Sequence, residues 1–175
     1  MILRRVSLCI LYIGVVVLLL GFSVYLAGGR FNATHSIPFG LYWLTHQEIG
    51  KGEYVILCPP RSSLFDEAKR RGYIRAGFCP GDYEYLMKRI LAAKTDWVRF
   101  TDEGVYVNDE LLPFSRPFDA DSAGRALPVI RTDYRLGDSE LLLMTDISPT
   151  SFDSRYFGLS NRSQIVGVIR PVITW

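Results

Sequence analysis

From Val6 to Gly29 the chain is almost entirely apolar and carries no charged side chain. About 20 apolar residues span the hydrocarbon core of a bilayer as a helix, so this stretch predicts one membrane-spanning helix with a little tilt. Arg4 and Arg5 precede it, Arg30 follows it, and no further Lys or Arg occurs until Lys51. With the amino terminus counted, that bias favours an N-terminus inside and a C-terminus outside. The competing reading is a cleaved secretory signal, with Ala27-Gly28-Gly29 as a tolerable cleavage site. The apolar stretch is longer than a usual signal core, which favours an uncleaved anchor. The expected organisation is residues 1–29 as a short cytoplasmic stub and transmembrane helix, and residues 30–175 as one domain outside the cytoplasm.

The formal net charge is +2, with acids and bases interspersed. No basic stripe of the kind that binds nucleic acid is present, so the partners expected are a lipid bilayer and a protein substrate. The cysteines divide by position. Cys9 lies in the apolar stretch and reads as a small packing residue. Cys58 and Cys79, each followed by Pro, lie in the exported part, where disulfides persist; a Cys58–Cys79 bridge is favoured over two buried thiols. Two such cysteines with His35 and His46 at scattered positions match no metal-ligand spacing, so no metal and no cofactor are expected.

Beyond Gly40 the pattern is mostly strand. Glu53–Leu57, Tyr85–Leu91, Trp97–Phe100, Gly104–Val107, Glu140–Met144 and Ile165–Val172 are short runs rich in aliphatic and aromatic residues, separated by turn residues. Asn108-Asp109 predicts a tight hairpin. One helix is expected between the exported cysteines, capped by Ser63 with Asp66 three residues on, closed by Lys69, Arg70 and Arg71, and stopped by Gly72. Ser115 to Gly124 reads as a polar surface loop. The fold class is mainly β, with a short inserted helix and one N-terminal transmembrane helix.

Three segments hold the chemistry. Each alone has a plain reading: Ser36-Ile37-Pro38-Phe39-Gly40 as a turn, Lys88-Arg89 as a solvated pair, Ser151 to Gly158 as a salt-bridged turn. Together they fit a serine nucleophile with a lysine base. A serine hydroxyl needs a general base. His35 is adjacent to Ser36 and points away in an extended chain, and no nearby acid marks His46 as a triad member. A lysine serves only when neutral, which at an ordinary pKa costs about 4.6 kcal/mol at pH 7. Strand alternation places Lys88 on one face with Leu86 and Ile90, and apolar walls lower a lysine by roughly 3–5 pH units. Seven extended residues reach at most about 25 Å, so Ser36 must lie close to where the apolar segment ends.

The membrane segment, THSIPFGLYW, FCPGDYEYLMKRILA, VYVNDELLP and FDSRYFG together resemble the type I signal peptidases, which are Ser/Lys proteases. The resemblance is nearest to their conjugative-transfer branch, the TraF type, which matures pilin subunits. It implies a signal-peptidase-like antiparallel β-sheet domain and a membrane-anchored serine endopeptidase. Ser36 would be the nucleophile and Lys88 the general base. Thr34 and the Ser36 N–H would form the oxyanion hole. Ser151 would orient the Lys88 amine, and Asp153 and Arg155 would form a supporting ion pair together with Arg89. The substrate would be an exported precursor, a conjugative pilin above all, met on the periplasmic side of a bacterial inner membrane. Ile37 stands where general leader peptidases often carry Met, and the large extra domain of many of them is absent. That narrower scaffold favours a dedicated substrate over general leader processing. The remaining alternatives are a self-cleaving repressor-like protease, which would carry a DNA-binding domain in place of the membrane span, and a non-catalytic periplasmic assembly subunit, which would need neither Ser36 nor Lys88.

Overall fold

The protein is described here by a computed structural model covering residues 2–175. The amino terminus on Met1, which contributed to the charge bias, lies outside the described residues. Helix α1 spans Ile2–Leu26, and its segment Arg4–Leu26, with mean hydropathy 2.6, is long and apolar enough to cross a membrane. No residue of its most apolar stretch is buried by the rest of the protein. The helix ends before the apolar run does. Gly28 adopts φ +108°, a conformation costly for any residue with a Cβ, and reverses the chain. Gly29 already lies in the first strand, paired opposite Trp43.

The strands are β1 (Gly29–Asn32), β2 (Gly40–Thr45), β3 (Tyr54–Leu57), β4 (Ala76–Cys79), β5 (Leu86–Ala92), β6 (Trp97–Phe100), β7 (Val105–Val107), β8 (Glu110–Leu111), β9 (Thr132–Arg135), β10 (Glu140–Met144), β11 (Ser160–Asn161) and β12 (Ile165–Thr174). One antiparallel sheet has the order β1-β2-β12-β3-β5-β10-β11, and a smaller one the order β8-β7-β6-β9. The fold is mainly β, as its sequence pattern predicts. Strand β5 is central to it. Its apolar residues face three packed clusters: Leu86 and Ile90 with Val55, Phe65 and Leu143; Leu91 and Ala92 with Val98, Phe100 and Met144; Met87 with Ile37, Tyr42 and Ile56. Fully burying side chains of this size contributes roughly 1.5–3 kcal/mol each, so the strand that carries Lys88 is among the best anchored in the molecule.

Helix α2 (Ser63–Arg70) is the inserted helix, with one correction at its start. Ser62, not Ser63, is the N-cap: its backbone is extended and its hydroxyl accepts from Phe65 N–H at 3.4 Å. Asp66 then lies in the first turn and accepts a hydrogen bond from the Tyr83 hydroxyl. The Cys58–Cys79 disulfide is formed, with Cα atoms 5.4 Å apart, and ties the α2 excursion to the sheet at both ends. The segment from Ser115 to Gly124 is a surface loop, exposed over most of its length and held at two points. Ser115 is buried, accepting from Val105 N–H at 3.0 Å and donating to Leu112 O at 2.6 Å. Asp121 accepts from the N–H groups of Ala123 and Arg125 and from the Tyr73 hydroxyl.

Candidate active site

Residues 33–39 connect β1 to β2 as a compact loop, and the side chain of Asn32 holds it from beneath. Asn32 Oδ1 accepts from Thr34 N–H at 3.1 Å and from Thr34 Oγ1 at 2.8 Å. Asn32 Nδ2 reaches the carbonyls of Thr34, Ile37 and Pro38 at 2.9, 2.8 and 3.0 Å. Ile37 anchors the loop in the core, and Tyr42 donates to Pro38 O at 2.7 Å. At the loop's exit Gly40 has φ +146°, and a Cβ there would fall 2.0 Å from Ile173 O, so only glycine admits β12 so closely. His35 rests edge-on against Phe39 and is not brought to Ser36 as a base.

Lys88 comes from the middle of β5, opposite Val55 in β3, and is 2% exposed. Its Nζ lies 2.7 Å from Ser36 Oγ and 2.8 Å from Ser151 Oγ, and the two hydroxyl oxygens are 3.3 Å apart. Burial lowers the Lys88 pKa to about 8; the Asp153 carboxylate opposes that shift and the Arg155 guanidinium reinforces it. At pH 7 about one amine in ten is then neutral, against fewer than one in a thousand at the ordinary value.

Ser151 is placed from behind by Arg155, which is 1% exposed, in the short helix α3 (Ser154–Phe157). Its guanidinium forms a two-pronged pair with Asp153, Nε to Oδ1 and Nη2 to Oδ2, each at 2.8 Å. The remaining N–H groups reach the carbonyls of Phe114, Ser148, Pro149 and Ser151. A fully buried arginine is tolerable only with this degree of pairing. Arg89 does not join the pair. Strand alternation turns it to the opposite side from Lys88, where it bonds Asp146 and Gly52 O.

The cleft beside Ser36 has a volume of about 500 Å³. Its walls include Phe31, Phe78, Tyr85 and Phe152, the charged pair Arg75 and Glu84, and Tyr25 from the last turn of α1. The Arg30 guanidinium lies 4.2 Å from the centre of the Tyr25 ring and donates to Tyr25 O, clamping the helix end to β1. Among the described residues no cluster of His, Cys, Asp and Glu could hold a metal ion. The residue that the sequence argument missed is Asn32. Its signal was present, since an asparagine accepting from the N–H two residues on is a common local turn.

A serine and a buried, partly neutral lysine within hydrogen-bond reach can perform nucleophilic acyl transfer. The family model described as "Signal peptidase, peptidase S26" matches residues 2–175. The chain is 58% identical over 175 residues to "Plasmid transfer protein TraF" of Escherichia coli, covering 99% of this chain and 98% of that one. It is 33% identical over 152 residues to "Conjugal transfer protein TraF" of Agrobacterium fabrum (strain C58 / ATCC 33970), covering 86% of this chain and 85% of the other. A crystal structure of a signal peptidase I from Enterococcus faecalis aligns with 72% of this chain and 100% of its own, at 16% identity and TM-score 0.41.

Proposed function

The chain belongs to the signal peptidase family, peptidase S26, and we propose that it is a membrane-anchored serine endopeptidase that processes an exported precursor with a Ser36–Lys88 dyad. The observation that carries this reading is the 2.7 Å approach of the buried Lys88 amine to the Ser36 hydroxyl. A lysine enclosed in this way is costly to a scaffold that performs no chemistry, which supports an enzyme over a non-catalytic assembly subunit.

In the proposed reaction the neutral Lys88 amine takes the Ser36 proton as Oγ attacks the scissile carbonyl. The Ser151 hydroxyl, 2.8 Å from Nζ, keeps the amine aimed at Ser36 through the transfer. The oxyanion of the tetrahedral intermediate is held by the Ser36 N–H and the Thr34 hydroxyl. Collapse breaks the peptide bond, and the Lys88 ammonium returns its proton to the leaving amine. Water, activated by the same lysine, then releases the acyl group from Ser36. If the substrate's own amino terminus reached that ester first, the product would be a joined or circular peptide.

The substrate we assign is a conjugative pilin precursor. The relatives' names tie them to plasmid and conjugal transfer, which supports a dedicated role within a transfer system. We place α1 across a bacterial inner membrane with its N-terminus inside and residues 30–175 on the periplasmic side. The excess of Arg4 and Arg5 before the apolar segment over the single Arg30 after it, together with the disulfide, supports that orientation. The test is mass spectrometry of a co-expressed pilin precursor with wild-type protein, Ser36→Ala and Lys88→Ala. Wild type should convert the precursor, and both variants should accumulate in the membrane but leave it whole. Normal conversion by Lys88→Ala would sink the mechanism.

A further inference from the structure

The buried amide of Asn32, 3% exposed, takes no part in the reaction steps above, yet it touches the peptide on both sides of the nucleophile. Its Nδ2 has two hydrogens and three carbonyl partners, Thr34 O before Ser36 and Ile37 O and Pro38 O after it. Fixing the chain on both sides of Ser36 fixes the direction of its backbone N–H. A misplacement of about 1 Å in such a group is enough to cost a hundredfold in rate.

Its oxygen acts on the other oxyanion donor. The single hydroxyl proton of Thr34 is donated to Asn32 Oδ1, while Thr34 Oγ1 accepts from Ser36 N–H across a long 3.4 Å bond. Both donors therefore turn into the loop in this structure. Rotation about the Thr34 Cβ–Oγ1 bond redirects the hydroxyl to a negative oxygen forming in front of Ser36, and the N–H leaves a weak partner for a charged one. Asn32 Oδ1 retains the Thr34 N–H bond at 3.1 Å throughout, so the exchange leaves no buried acceptor unpaired.

We propose that Asn32 is the positioning residue of the oxyanion site, fixing the Ser36 N–H and holding the Thr34 hydroxyl in a resting bond that the transition state displaces. This rests on the peptidase reading, with Ser36 as nucleophile. Asn32 touches no reacting atom and acts through Thr34 and the loop.

The experiment measures processing of the pilin precursor of the same conjugation system by the full-length protein in isolated membranes. Asn32→Ala and the near-isosteric Asn32→Asp, which keeps an acceptor but loses the Nδ2 donors, should each slow conversion by about tenfold or more. Membrane abundance, the Cys58–Cys79 disulfide and the pH midpoint of the rate should stay as in wild type. Combined with Thr34→Val, either Asn32 variant should lose clearly less than the product of the two single losses, because the share of the Asn32 effect that passes through the Thr34 hydroxyl is already gone. Asn32→Asp carries the test if Asn32→Ala does not accumulate. Rates within about twofold of wild type for the Asn32 variants, with Ser36→Ala inactive, would overturn the proposal. So would single losses that multiply in full in the Thr34→Val background, since they would show that no part of the Asn32 effect passes through the Thr34 hydroxyl. Conversion at the wild-type rate by Ser36→Ala would instead remove the peptidase reading itself.

Discussion

Arg155 donates through Nη2 to the backbone carbonyl of Ser151 at 3.1 Å, so a side chain with no access to the cleft determines where the lysine's serine partner stands. Breaking a buried pair by removing one partner costs about 3–5 kcal/mol, because the other charge stays behind uncompensated. Asp153→Ala should therefore lower the unfolding free energy by about that amount, and Arg155→Lys, which cannot reproduce the fork, should lose processing as well. Chemical denaturation of both variants checks this; a wild-type midpoint for Asp153→Ala would refute it.

The lowered pKa of Lys88 fixes the sign of the pH dependence. In the proposed mechanism the neutral amine is the working form, so the processing rate should rise with pH and level off above about 8. Stability has its own sign. Between about 8 and 10.5 the unfolded chain holds a proton on Lys88 that the folded chain has lost, so unfolding free energy should rise with pH across that window. Below about 8 both states are protonated and the folded one bears the burial penalty. Lowering the value from 10.5 to about 8 corresponds to about 3 kcal/mol. Lys88→Met should accordingly unfold at higher temperature than wild type at pH 7 while processing nothing. A lower unfolding temperature would show that Lys88 contributes net stability where it sits.

Thr34→Val removes the hydroxyl at nearly constant shape. Losing one oxyanion donor costs about a hundred- to a thousandfold in rate, whereas Thr34→Ser should retain activity. Equal rates for the two variants would make Thr34 a turn residue only.

The disulfide closes a loop with a sequence separation of 21, a constraint worth about 3 kcal/mol. Cys58→Ser, Cys79→Ser and the double change should lower thermal stability to similar extents, since each breaks the same bond. Thiol labelling of the denatured, unreduced protein should detect Cys9 alone.

Much of this arrangement is local, and local features are legible in a sequence. Trp97–Phe100 and Glu140–Met144 form strands over the residues their aliphatic and aromatic runs predict. Asn108 and Asp109 adopt φ of 52° and 67°, the paired positive values that a tight two-residue hairpin needs. The apolar neighbours of Lys88 mark it as enclosed before any distance is known. Short edge strands are another matter: Thr132–Arg135 carries no apolar alternation and exists because β6 pairs with it. Arg89 shows a different limit. Its position next to Lys88 suggests a shared role, but one step along a strand changes face, and its partner Asp146 comes from the bend that follows β10. The Ser62 cap was missed by one residue because serines stand at both 62 and 63 and only backbone geometry separates them.

Only Ala27 and Gly28 lie between the last turn of α1 and β1, and Arg30 clamps the two together across Tyr25. In the membrane enzyme proposed here, that short joint makes the protein a ruler. The nucleophile stands at one height above the bilayer and cannot reach along a substrate in search of a preferred residue, so the substrate's own distance from the membrane becomes part of its recognition signal. Spacer residues inserted after Leu26 would lengthen the ruler and move the cut outward along the same precursor, with every residue of the catalytic site unchanged.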